Sequence, residues 1–130
     1  MHLHSPWSHD ACDGEPLING VPNQQCLQDL RDALCTTAID VAYLSDHPAH
    51  ASNQPYEQLF HAYPEDEHIK RNGRTIATRI HCESGHSVMW RPGIEDELMP
   101  LGLEQHASPG NADESHRLYN EATLESIRAN

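Results

Sequence analysis

The clearest periodic pattern along the chain lies in residues 24–37, where apolar side chains recur three or four positions apart. These side chains are Leu27, Leu30 and Leu34, and polar or charged residues stand between them. Because this spacing places the apolar groups on one face of a helix, the pattern predicts an amphipathic helix. Asn23 directly precedes it and is well suited to cap its first turn.

The predicted strands follow this helix. Residues 38–44 are mostly apolar and include β-favouring side chains, which is typical of a strand covered on both faces in a parallel sheet. Residues 75–82 and 86–91 flank a Glu-Ser-Gly turn and predict an inserted β-hairpin. The run LMPLGL at 98–103 predicts the next core strand, with Pro100 indicating an irregular edge.

Short helices and long connections account for the remaining segments. Residues 55–62 predict a short helix, and residues 112–128 predict a closing helix capped by Asn111. The polar, turn-rich segments 7–23 and 63–73 are expected to be loops. Nine Pro and seven Gly among 130 residues agree with long connections in a single domain that has a modest core.

The charge balance limits the classes of partner. The net charge is -12, from 20 acidic and 8 basic residues, so direct nucleic-acid binding is not expected. Bound divalent cations would reverse the local field, and the acidic total is therefore compatible with phosphate chemistry. No stretch predicts a membrane span and no signal peptide is evident within this chain, which leaves the localisation unknown and an exported parent protein possible.

Histidine and cysteine content favours metal over thiol chemistry. Eleven His among 130 residues raise a metal-binding hypothesis, because neutral imidazole is a common metal ligand. The cysteines are Cys12, Cys26, Cys35 and Cys82. They form no CxxC pair, and their three possible disulfide pairings stay open. None follows a helix-start or elbow pattern, which argues against a catalytic Cys-His pair.

Ligand-type residues stand at the ends of the predicted strands. His2 and His4 alternate in the first segment, so both side chains leave one face of a strand. The later strand ends carry Asp46 and His47 after residues 38–44, and Glu104 and His106 after residues 98–103. Because carboxyl ends of parallel strands meet at one rim, these residues are expected to converge there.

Three segments resemble, in order, motifs of the PHP (polymerase and histidinol phosphatase) superfamily. HLHSPWSHDACDG lies within residues 1–14, VAYLSDHPAH within 39–50, and LMPLGLEQH spans 98–106. The resemblance implies an α/β fold, a partial distorted (β/α)7 barrel with an inserted hairpin, over an incomplete PHP-like domain at 1–130. It further implies two or three divalent ions, Zn, Mn or Fe, at the carboxyl rim.

The resemblance also implies roles for individual residues. By position, His2 and His4 would bind the first ion, Glu104 would bridge it to the second, and His9 and His47 would serve the remaining ions. His47 and Glu104 are thus the expected catalytic pair, while Asp46 would orient a ligand. Asp10, Asp13 and His106 would either orient a ligand or take the place of one.

Other histidines receive structural interpretations. His116 could correspond to a His that family members carry later in the chain. It lies among polar residues in the predicted helix, however, and we therefore interpret it as a solvent-facing residue of that helix. His50 is interpreted as a loop residue. The remaining surface histidines are His61, His68, His81 and His86.

The predicted function is metal-dependent phosphoesterase activity, in which a metal-bound hydroxide hydrolyses a small phosphorylated substrate. The first strand is short, and the Asp-x-His that family members carry near their carboxyl end has no counterpart here. The chain is therefore expected to be a fragment, with the missing barrel half in the parent protein. The alternative is a noncatalytic PHP-like metal-binding or structural module of a larger exported or multidomain protein.

Overall fold

The computed structural model describes residues 3–96 and 99–121. They form a small mixed α/β domain with one sheet of two strands and one of four. The strands are β1 (Leu17–Ile18), β2 (Val21–Pro22), β3 (Val41–Tyr43), β4 (Glu67–Arg71), β5 (Arg74–His81) and β6 (Ser87–Arg91), and the α-helices are α1 (Gln24–Thr36), α2 (Pro48–Ala51) and α3 (Ala112–Glu121). Short 3₁₀ helices cover Cys12–Gly14 and Tyr56–Phe60.

The predicted (β/α)7 barrel is wrong. The larger sheet has the order β3-β6-β5-β4, and only the β3–β6 pair is parallel. A (β/α) barrel requires parallel strands joined by helices, whereas β4, β5 and β6 follow one another as an antiparallel meander. The described residues therefore form an open sheet and do not form a barrel.

The β5–β6 hairpin confirms the prediction made for residues 75–82 and 86–91, but its place in the fold differs. Instead of being an insertion, β6 is the strand that pairs in parallel with β3. The predicted strand at 98–103 is absent from the described residues 99–103, where Leu101 forms only an isolated bridge with Gly93. Part of the predicted loop 63–73 is the strand β4.

The predicted helices are confirmed at α1 and at the start of α3. Asn23 accepts the Cys26 backbone N–H at the start of α1, and Asn111 accepts that of Glu114 at the start of α3. The predicted extension of α3 to residue 128 lies outside the described residues. None of the described helices is long and apolar enough to cross a membrane.

The main core lies between α1 and the four-stranded sheet. Its buried apolar residues are Leu27, Leu34, Ala42, Leu44, Ile80, Cys82, Val88 and Trp90. The disulfide Cys35–Cys82 joins the end of α1 to the residue after β5, and Cys12–Cys26 joins the loop before β1 to the first turn of α1. These two bonds make up one of the three pairings that the sequence left open.

Arg31 departs from the amphipathic pattern of α1 because it is buried. Its guanidinium donates to both carboxylate oxygens of Asp66, over 2.7 and 2.9 Å, and lies 4.0 Å from the centroid of the Tyr63 ring. Asp66 also accepts the Tyr63 backbone N–H. A buried charge is tolerated when it is paired and fully hydrogen-bonded, and this pair fastens α1 to the segment that leads into β4.

Gly93 lies where three chain segments approach closely. A Cβ at this position would overlap the carbonyl oxygen of Leu44 and lie 3.0 Å from that of Pro100. Both neighbours are backbone atoms, so a side-chain movement cannot make room. Gly93 therefore permits the chain after β6 to continue alongside the chain after β3.

We expect Gly93→Ala to destabilise the fold by roughly 3 kcal/mol, since overpacking against backbone is relieved only by separating the two segments. Gly85→Ala is the matched control, because its Cβ would meet open space and only the left-handed backbone conformation opposes it, at about 1 kcal/mol. Urea denaturation measures both. Equal destabilisation by the two variants would contradict the close approach at Gly93.

Candidate metal centre

Three distant segments meet at the carboxyl ends of β3 and β6. The Ser45 N–H donates to the Leu3 carbonyl over 2.8 Å, which places the first described residues beside the end of β3. On the other side, the Glu95 N–H donates to the Asp46 carbonyl over 3.0 Å, continuing the parallel pairing beyond β6. His4, His47 and Glu95 are thereby brought to the same end of the sheet.

A buried carboxylate fixes the first of these segments. Asp46, 2% exposed, accepts the Ser5 backbone N–H over 2.5 Å and the Ser5 hydroxyl over 2.7 Å. Desolvation raises the pKa of Asp46 to about 6, against the opposing effect of these hydrogen bonds and of His4 and His47. The two bonds hold His4 so that its ring centroid lies 5.0 Å from that of His47.

The side chains form two overlapping groups of possible metal ligands. One contains His4, His47 and Glu95, and the other His9, Asp10 and His47; within each group the ligand atoms lie within 4.8 Å of one another. His4 Nε2 lies 2.6 Å from Glu95 Oε2, and His4 Nδ1 lies 2.8 Å from Asp10 Oδ1. Mixed imidazole and carboxylate donors suit Zn, Mn or Fe, so the donor set fits the implied ions.

Ser8 positions the second group. Its buried hydroxyl accepts the His47 backbone N–H over 3.2 Å and donates to Asp10 over 2.8 Å. Desolvation alone would raise the pKa of Asp10, but the Ser8 hydrogen bond and the neighbouring His4 lower it to about 2. The carboxylate is thus ionised across the physiological range, as a metal ligand must be.

The structure brings together only some of the predicted site residues. His4, His9, Asp10 and His47 lie in the two groups, and Asp46 lies behind them, bonded to Ser5. His2 lies outside the described residues. The predicted residues placed elsewhere are Glu104, which pairs with Arg71; His106, which is buried beside Gln54 and Tyr119; and Asp13, which is exposed in the 3₁₀ turn.

Glu95 stands where the sequence analysis expected Glu104. Both residues end a Gly-x-Glu triplet, Gly93-Ile94-Glu95 and Gly102-Leu103-Glu104. The first triplet follows the apolar strand β6, and this position after a strand was the feature of the sequence that could have identified Glu95. Glu95 was missed because β6 was interpreted as part of an inserted hairpin and residues 98–103 as the core strand.

His61 is buried, contrary to its interpretation as a surface residue. Its Nε2 lies 2.7 Å from the Ser5 hydroxyl oxygen. Because the single Ser5 hydroxyl hydrogen goes to Asp46, Nε2 of His61 is the donor. Its ring stacks on Trp7, and desolvation, aided by the positive charge of Arg31, lowers the pKa of His61 to about 3. A buried chain of hydrogen bonds thus runs from His61 through Ser5 to Asp46.

Comparisons with protein-family models, with curated proteins and with solved structures found no match to this chain. The interpretation of the site therefore depends on the geometry of its residues.

We expect acid to destabilise the fold through His61. The unfolded residue takes up a proton near pH 6.5, whereas the folded residue stays neutral to about pH 3. Stability is therefore complete above pH 6.5 and falls as the pH decreases from 6.5 towards 3, by about 1.4 kcal/mol per pH unit from this group. Urea denaturation with EDTA present at pH 6.5, 5.5 and 4.5 measures the slope.

His61→Gln keeps an N–H donor for Ser5 but does not titrate, so between pH 6.5 and 4.5 it should lose less stability than the unmodified chain, by about 1.4 kcal/mol per pH unit. The raised pKa of Asp46 acts in the opposite sense, but it is present in both chains and does not change this difference. His68→Gln on the exposed face of β4 is the matched control and should keep the slope of the unmodified chain. A His61→Gln slope equal to that of the control would rule out the buried neutral histidine.

Proposed function

We propose that this chain binds divalent metal ions through His4, His9, Asp10, His47 and Glu95 and hydrolyses phosphate esters with them. The observation that carries the proposal is the convergence of imidazole and carboxylate groups from three segments distant in sequence. The segments that carry these groups are held by hydrogen bonds of the buried residues Ser5, Ser8 and Asp46. A cluster formed by chance at the surface would not need such buried hydrogen bonds. The supports hold the ligand-type side chains in place before any ion arrives.

The donor set also explains how an acidic chain could accept a phosphate ester. Divalent ions bound at such groups supply a water that ionises near neutral pH and positive charge for phosphate oxygens. The chain contributes the position of each ligand: Ser8 aligns Asp10 with His47, and Asp46 holds the segment that carries His4. Without bound cations, Asp10 and Glu95 would repel a phosphate anion.

The resemblance to the PHP superfamily supports the reaction class and remains part of the proposal, without the barrel. The HLH and SDH motifs contribute His4 and His47 to one cluster, and a Gly-x-Glu triplet contributes Glu95. The substrate we propose is a small phosphorylated compound.

We further propose that the chain works in an oxidising compartment, as an exported protein does. The two disulfides span 14 and 47 residues of the chain, and the described residues contain no free cysteine. Structural disulfides persist outside the reducing cytosol. Cys12–Cys26 also restrains the loop that carries His9 and Asp10.

We expect the unmodified chain, dialysed against manganese and then against buffer, to retain metal in elemental analysis. His47→Ala should lose most of it, because His47 belongs to both ligand groups, and Glu95→Ala should lose about tenfold or more in affinity. Glu104→Ala is the matched control and should retain the metal, since Glu104 pairs with Arg71 instead. Loss of metal in Glu104→Ala with retention in Glu95→Ala would reverse the assignment.

We expect manganese-dependent hydrolysis of an aryl phosphate, lowered about 100-fold by His47→Ala and unchanged by Glu104→Ala. Release of the phenol, followed by absorbance, measures it. Stoichiometric metal binding without hydrolysis would refute the phosphoesterase and favour the noncatalytic metal-binding module.

A further inference from the structure

A cavity of about 400 Å³ opens beside the metal centre, and one of its walls belongs to α3. His9, His47 and Glu95 line it from the ligand groups, and His116 and Asn120 line it from the helix. The helical residues belong to neither group of possible metal ligands in the described part of the chain. The cavity is thus lined by candidate metal ligands on one side and, on the other, by polar side chains that are not candidate ligands.

The position of His116 and Asn120 is fixed by the buried face of α3. Tyr119 accepts the Ala107 backbone N–H over 3.0 Å, and Ser115 accepts the Ser108 backbone N–H over 3.0 Å. The cavity residues each follow one of these anchors directly, and their spacing of four places them on one side of the helix. His116 is half-buried and Asn120 is exposed.

The charge of the described lining limits how an anion could bind in the cavity. No Lys or Arg is among its described lining residues, while Glu95 and Asp96 contribute carboxylates. An anion that binds here therefore needs the metal ions for charge and neutral or imidazole N–H groups for the rest of its hydrogen bonds. His116 and Asn120 are side chains of the α3 wall that can donate such bonds.

We propose that His116 and Asn120 bind the phosphate group of the substrate through their N–H donors. This inference rests on the proposed metal-dependent function. The phosphate lies between the metal centre and α3, and the organic group lies against Pro48, Ala49 and Met99, which are the apolar part of the lining.

The test is calorimetric titration of the manganese-loaded chain with inorganic phosphate, after elemental analysis of the same samples. We expect His116→Ala and Asn120→Ala each to weaken phosphate binding about tenfold, because a hydrogen bond to an anion is lost, and to leave the manganese content unchanged. His116→Gln retains an N–H donor and should lose less than His116→Ala. The exposed His68→Ala on β4 is the matched control and should bind phosphate normally.

The outcomes separate the two proposals. If the unmodified chain retains no manganese, the proposed function fails and this inference fails with it. If the chain retains manganese and His116→Ala binds phosphate as the control does, the inference alone is refuted. If His116→Ala loses manganese, His116 is a metal ligand and the assignment to the phosphate group is overturned.

Discussion

The hydrogen bonds between Ser5 and the buried carboxylate of Asp46 are the constraint on which the site depends. A buried carboxylate is costly unless its oxygens are hydrogen-bonded, and the two donors of Ser5 satisfy one oxygen each. Moving the first segment by one residue would remove both donors and turn His4 away from His47. The fold therefore fixes the register of this segment through an internal polar group, and this register sets the position of the His4 side chain.

The second constraint is the close approach of the segments after β3 and β6. Parallel pairing sets Asp46 beside Ile94, and a glycine at position 93 allows the two backbones to stay in contact beyond the strands. Glu95 is the next residue after Ile94 and therefore lies at the same end of the sheet as Asp46. The site is thus built from the ends of two adjacent parallel strands, with the loop of His9 and Asp10 attached to them through Ser8.

Local patterns predicted α1 and the β5–β6 hairpin, because helical spacing and a Gly-containing turn are properties of neighbouring residues. β4 was missed because its sequence, EHIKR, shows little apolar content for a strand at the sheet edge. The two Gly-x-Glu triplets look alike in the local sequence. Only the non-local pairing of β3 with β6 shows that Glu95, and not Glu104, lies beside His4 and His47. The burial of His61 likewise depends on Trp7 and Ser5, which lie over fifty residues away in sequence.

Because the three segments are far apart along the chain, binding of an ion at the candidate site would be coupled to folding. His4, His47 and Glu95 are adjacent only after the parallel pair of β3 and β6 has formed, which is a long-range contact and closes a long loop. The unfolded chain holds these three groups far apart. An ion that contacts all three therefore binds the native state alone, and its binding free energy adds to the conformational stability of the whole domain.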